Sequence, residues 1–181
     1  MVKYWFTADL HFGHENIIKY CRRPFINLDS MDCRLIDNWN SRVKQDDYIF
    51  HLGDFCYKNS HKFSDYVRLL NGNIIFLKGN HDGNNGVRTP IINTTIKYGS
   101  KHIFLTHKPE NVIGFDGELA LCGHVHNLFK FKTLDVDGLN VDVCNVGVDV
   151  WQGRPVDINE IMADYQRWKK SGNENIKSWA Y

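Results

Sequence analysis

Residues 74–82 read Ile74-Ile75-Phe76-Leu77-Lys78-Gly79-Asn80-His81-Asp82: an apolar run that stops at a glycine and then presents three polar side chains in a row. A short β-branched and aromatic run punctuated by Gly reads as a buried strand, so Asn80, His81 and Asp82 fall at its carboxyl end. The arrangement recurs along the chain. Residues 2–8 read as a strand followed by Asp9 and His11, and residues 48–52 as one followed by Gly53-Asp54. Residues 103–106 lead into His107, and residues 119–122 into Gly123-His124-Val125-His126.

Outward from these strands the pattern changes period. Met31, Leu35, Ile36, Trp39 and Val43 share a helical face, as do Phe63, Tyr66, Val67 and Leu70. Ile158, Ile161, Met162, Tyr165 and Trp168 repeat at the same spacing, and Asp157 with Glu160 has the form of a capping box that opens their helix. Residues 127–146 alternate in the manner of antiparallel strands, with Asp137-Gly138 as the hairpin turn. Strands alternating with helices imply a layered α/β domain. The chain shows no linker, repeat or low-complexity block, so residues 1–170 are read as one domain and residues 171–181 as a polar tail ending in Trp179 and Tyr181.

Composition narrows the class. With 181 residues, 43% hydrophobic and 24% charged, the chain is long enough for a core without disulfide staples. No apolar run approaches the ~20 residues of a membrane-spanning helix, and residues 1–10 lack a signal-peptide pattern, so a cytoplasmic protein with no membrane partner is expected. The net charge of +1 leaves no broad electrostatic footprint for nucleic acid. Five scattered cysteines without a C-x-x-C pair point to buried thiols, not to a zinc or disulfide framework.

Open α/β sheets bind ligands beyond the carboxyl ends of their strands. Five such ends here offer Asp9, His11, Asp54, Asn80, His107, His124 and His126. Three carboxylate or amide oxygens with four imidazoles make a mixed N/O shell, which suits Mn, Fe, Zn, Ni or Co better than Ca or Mg. Seven donors are too many for one tetrahedral ion and suit two divalent ions sharing a bridging carboxylate.

In this order the motifs Asp9-x-His11, Gly53-Asp54, Gly79-Asn80-His81-Asp82, His107 and Gly123-His124-x-His126 resemble the calcineurin-like metallophosphoesterase superfamily. With Phe12-Gly13-His14-Glu15-Asn16-Ile17-Ile18 and Arg22-Arg23-Pro24-Phe25, the whole chain looks like the small single-domain phosphoesterases predicted in bacteria, archaea and phages. The resemblance implies a four-layer α/β/β/α sandwich of two mixed sheets with helices on the outer faces. It implies Asp9, His11 and His126 on a first ion, Asn80, His107 and His124 on a second, and Asp54 bridging. It implies catalytic roles for His81, as the donor to the leaving oxygen, and for Asp82, as the group that orients His81. The activity so implied is phosphoric ester hydrolysis by a metal-bridging hydroxide, with manganese first among the candidate metals.

The open site and the acid at His81 favour a phosphodiesterase acting on a small nucleotide or short oligonucleotide. A phosphomonoesterase, a nuclease for nucleic-acid ends and a phosphoesterase-fold protein scaffold are the alternatives. His14, Arg22, Arg23 and Arg154 are candidate substrate contacts, the arginines because a guanidinium fork matches phosphate geometry. Asn145 is read as lining the cleft, and His51, His61 and His102 as structural or surface residues. Trp151 is read chiefly as core. Trp179 and Tyr181 are candidates for packing on a second copy in a homodimer.

Overall fold

A computed structural model describes residues 2–57, 61–115 and 117–172. Strands β1 (Tyr4–Thr7), β2 (Tyr48–His51) and β3 (Asn73–Phe76) are parallel, with β9 (Val156–Asp157) antiparallel at the edge, in the order β3-β2-β1-β9. The second sheet runs β4 (Asn93–Tyr98), β5 (Lys101–Thr106), β6 (Leu119–Cys122), β8 (Leu139–Asn145), β7 (Phe131–Val136). Its centre, β5-β6-β8, is parallel and its two edges are antiparallel. Both sheets are therefore mixed, as expected.

Alternation within strands divides the apolar residues into layers. Phe6 and Ala8 from the β1 segment and Leu52 and Leu77 after β2 and β3 meet Ile103, Leu105, Leu119, Leu121 and Phe131 between the sheets. On the other face of the first sheet, Trp5, Ile49 and Ile74 pack against helices α1 (Glu15–Tyr20), α2 (Leu28–Asn40) and α3 (Phe63–Val67). Helix α4 (Ile158–Lys170) carries Ile161, Tyr165 and Trp168 into the core between the sheets. The outer face of the second sheet is covered by the short turn at Pro109–Asn111 and by Val112 and Phe115.

Several local expectations hold for stated reasons. The Asp157 side chain accepts N–H from Asn159 and Glu160, and Glu160 accepts from the Asp157 N–H, the reciprocal cap that begins α4. Asp137 and Gly138 both have positive φ, as a two-residue turn between right-twisted strands requires. Strand β4 escaped the sequence reading because Asn93, Thr94 and Thr95 give it little apolar signal; pairing along the whole of β5 makes it a strand. Strand β9 is two residues long and exists through its bond to β1. Helix α1 is a single short stretch with His14 at its N-cap and Ile17 buried. The expected tail lies outside the described residues from 173 onward, and with it Trp179 and Tyr181. No helix of the described residues is long and apolar enough to cross a membrane.

Candidate metal centre

The strand ends converge as the sequence pattern predicts. After β1 and β2 the two segments run side by side: the Asp9 N–H donates to Gly53 O at 3.0 Å and the His11 N–H to Asp54 O at 3.1 Å. Asp9, His11, Asp54, His124 and His126 all have positive φ, between 49° and 70°. This region disfavours L-residues, and Asp and His are among the side chains that occupy it most readily. Five of the seven expected ligands thus stand in strained backbone, which the surrounding hydrogen bonds must hold.

Among the described residues the expected ligands form two groups of donors, and Cys21 and Asp149 make a third with His126. Asp9, His11 and His126 bring one ligand atom each within 4.8 Å of one another, and Asp54, His107 and His124 do the same. Asp54 lies between the groups. Its Oδ2 is 3.7 Å from His11 Nε2, 3.4 Å from His107 Nε2 and 4.0 Å from His81 Nε2. Its Oδ1 accepts the His81 N–H at 2.9 Å. Asn80 joins the second group through Oδ1, 3.0 Å from His107 Nε2.

The rings of His107 and His126 are turned so that Nδ1 meets a protein acceptor and Nε2 is left for a ligand. His107 Nδ1 donates to Leu52 O at 2.7 Å, and His126 Nδ1 donates to Asp149 Oδ2 at 2.9 Å. A partner on one ring nitrogen fixes tautomer and orientation, leaving the other for a ligand. Asp9 Oδ2 accepts the His124 N–H at 2.8 Å. Asp9 Oδ1 and both ring nitrogens of His11 are buried without a hydrogen-bond partner. Buried polar atoms left so are rare, and Asp9 Oδ1 and one imidazole nitrogen of His11 are donors that a divalent ion would satisfy. The residues therefore fit the metals that the sequence implies.

Charge follows the same geometry. Burial pushes the Asp9 carboxyl up to about 6. Burial alone would raise Asp54 too, but His107, the His81 N–H and His11 hold it well below the usual carboxylate range. Burial lowers His11 far below an ordinary imidazole. Against the same burial effect, the Asp54 and Asp9 carboxylates hold His107 up at about 9, and Asp149 with Cys21 and Asp9 holds His126 at about 10.

Other expected residues fall in different places. The His81 side chain is 49% exposed beside Asp54, with its ring 5.7 Å from that of His11. Asp82 does not orient that ring. Its carboxylate accepts backbone N–H from Gly79 at 2.7 Å and from Asp54 and Phe55 at 3.0 Å each, so it ties the β3 loop to the β2 loop. Arg23 is not a substrate clamp. Its side chain is fully buried against Asp149, because Asp149 and the Asp9 and Leu10 carbonyls take its donors. Arg22 is exposed and Arg154 partly buried. His14, at the start of α1, stacks on Tyr57 with centroids 4.2 Å apart, and exposed Tyr20 meets its edge.

Asn145 is fully buried and donates to His126 O and Phe129 O, so it braces the His126 loop. Trp151 is core, with its indole N–H on Asn145 O. The sequence reading missed Asp149 and Tyr57. The only available sign of Asp149 was a lone carboxylate inside the run Val148-Asp149-Val150, which must find a partner when buried.

Two mixed sheets with paired donor groups at their strand ends define a metallophosphoesterase-type architecture. The chain belongs to the calcineurin-like phosphoesterase family, whose profile matches residues 2–177. An uncharacterized protein of Methanocaldococcus jannaschii is 34% identical over 175 residues, covering 93% of this chain and 94% of that one. A protein of unknown function from Aquifex aeolicus has a similar fold, with a TM-score of 0.70 at 23% identity, covering 90% of this chain and 99% of that one.

Proposed function

We propose that this protein is a two-ion phosphodiesterase acting on a small nucleotide or a short oligonucleotide. The observation that carries the reading is the place of Asp54: its carboxylate reaches toward His11 of one donor group and belongs to the other with His107 and His124. One carboxylate shared by two donor groups is the arrangement that two neighbouring ions need. Asp9, His11 and His126 would hold the first ion and Asn80, His107 and His124 the second. Ions bound there supply Lewis acidity, which polarises phosphoryl oxygens and makes water nucleophilic near neutral pH.

The chain's own residues do the rest. The Asp54 carboxylate stays ionised and offers oxygen to both groups. His81 stands exposed at the mouth, where its ring can donate a proton to the departing ester oxygen. An alkoxide needs that proton more than a p-nitrophenolate does. Tyr57 lies beside His81 and His14 beside His11, with Tyr20 at the edge of His14, a surface on which a nucleobase can stack. Exposed Arg22, just after α1, offers a guanidinium suited to a phosphate.

The test compares hydrolysis of bis-p-nitrophenyl phosphate and p-nitrophenyl phosphate with added Mn²⁺ and with chelator. Wild type should cleave the diester in a metal-dependent way, and Asp54→Asn should lose this activity. His81→Ala should keep both ions and lose about 10²–10⁴-fold toward alkyl leaving groups. A preference for the monoester would make the protein a phosphomonoesterase. No turnover of either compound in protein shown to hold two ions would overturn the enzymatic reading and favour a binding role.

A further inference from the structure

We infer that Arg23 is a positioning residue of the candidate metal centre, fixing the Asp9–His11 loop and the His126 ring in one frame through Asp149. The inference rests on the two-ion reading above.

The Arg23 and Asp149 side chains are both fully buried. Nη2 of Arg23 donates to Asp9 O at 2.6 Å and Nη1 to Leu10 O at 2.8 Å. Nε and Nη2 donate to Asp149 Oδ1 and Oδ2 at 2.8 and 3.1 Å, and Asp149 Oδ2 accepts from His126 Nδ1 at 2.9 Å. One planar cation therefore ties together two ligand-bearing loops that come from different sheets. It reaches three of the ligands of one donor group: Asp9 by its own carbonyl, His11 through the preceding Leu10 carbonyl, and His126 through Asp149.

The acceptors it serves explain why an arginine stands here. Asp9 and His11 have φ of 56° and 51° and His126 has 49°. The Asp9–His11 segment has left the β1 ladder, so its carbonyls need donors from elsewhere. A guanidinium presents several N–H groups in one rigid plane and meets two carbonyls and a carboxylate together, which a lysine ammonium cannot reproduce. A buried ion pair is by itself a weak source of stability, because desolvation offsets much of the attraction. What an apolar pair in its place would not supply is the acceptor that holds His126 Nδ1–H and turns Nε2 inward. The other donor group has supports of its own, the Leu52 carbonyl on His107 Nδ1 and the His81 N–H on the Asp54 carboxylate, and is joined to the first by the His124 N–H on Asp9 Oδ2, a bond to the Asp9 side chain that Arg23 does not touch. Loss of Arg23 or Asp149 should therefore weaken one ion site and spare the other.

The experiment counts Mn²⁺ sites on the metal-stripped full chain by isothermal titration and electron paramagnetic resonance. It uses wild type, Arg23→Lys and Asp149→Asn, with circular dichroism melts of the metal-free proteins alongside. Arg23→Lys keeps a cation against Asp149 and so preserves folding while removing the fork. Wild type should take two ions. Each variant should keep one site at wild-type affinity and weaken the other about 10–100-fold, as loss of a ligand's supporting partner does. Two sites unchanged in both variants would overturn the assignment. So would equal weakening of both sites in step with a lower melting temperature, which marks a structural role alone. Fewer than two ions in wild type would overturn the two-ion reading itself, and this assignment with it.

Discussion

At the scale of single residues the centre sets carboxylates against imidazoles. In the metal-free chain His107, at about 9, and His126, at about 10, carry protons at pH 7, although burial alone would lower both. An imidazole bound through Nε2 must give that proton up. Loading both sites at pH 7 should therefore release about two protons per chain from the imidazoles, in addition to any from bound water, and apparent affinity should fall as pH falls. Titration calorimetry in two buffers of different ionisation enthalpy reads the number directly; heats independent of buffer would refute it. The sign for stability is the reverse. Both imidazoles hold protons more tightly folded than unfolded, so their contribution to the metal-free fold is full below about pH 6.5. It disappears as pH rises through 9 to 10.

At the scale of elements, the glycines before the ligands permit strand ends to touch. A Cβ on Gly79 would stand 2.2 Å from Asp54 Oδ1 and 2.3 Å from Asp54 N, so alanine there must push the shared carboxylate aside. Gly79→Ala should destabilise by about 1–3 kcal/mol, the usual range for overpacking, and weaken metal binding as well. A Cβ on Gly83, four residues along the same loop, meets nothing within 4 Å, so Gly83→Ala is the matched control and should keep metal affinity. Equal metal affinity in the two variants, each measured by calorimetry, would contradict this account of the loop contact. The Asp82 carboxylate belongs to this scale too, since it gathers three backbone N–H groups from the two loops.

For the whole molecule, the ligands come from loops after strands of both sheets, so an ion at this centre braces the sandwich itself. A ligand that binds only the folded state stabilises it by about 2.7 kcal/mol at a concentration 100 times its Kd. For a chain of this size each kcal/mol raises Tm by roughly 2–4 °C. Saturating Mn²⁺ should then raise Tm by roughly 5–10 °C per site, and chelator should return it to the metal-free value. A Tm indifferent to Mn²⁺ in protein shown to bind it would mean that the ion does not discriminate folded from unfolded chain.

The sequence by itself determined the layered α/β class, most strands and the residues that gather at their ends. The reason is local: short apolar runs followed by Gly, Asp or His mark a buried strand and its exit without reference to distant parts of the chain. The cap at Asp157 and the turn at Asp137-Gly138 were legible for the same reason, since each is closed within a few residues. Tertiary structure alone decided what depends on partners far away in the chain. Strand β4 needs β5 beside it, Asp82 turns to the β2 loop in place of the His81 ring, and Asn145 braces the His126 loop. Arg23 stands in a motif that reads as a phosphate clamp, yet Asp149 lies inside an apolar run with no motif at all. Only the fold brings that carboxylate to the guanidinium, and burial then makes the pairing obligatory, because neither charge could remain in the core unsatisfied.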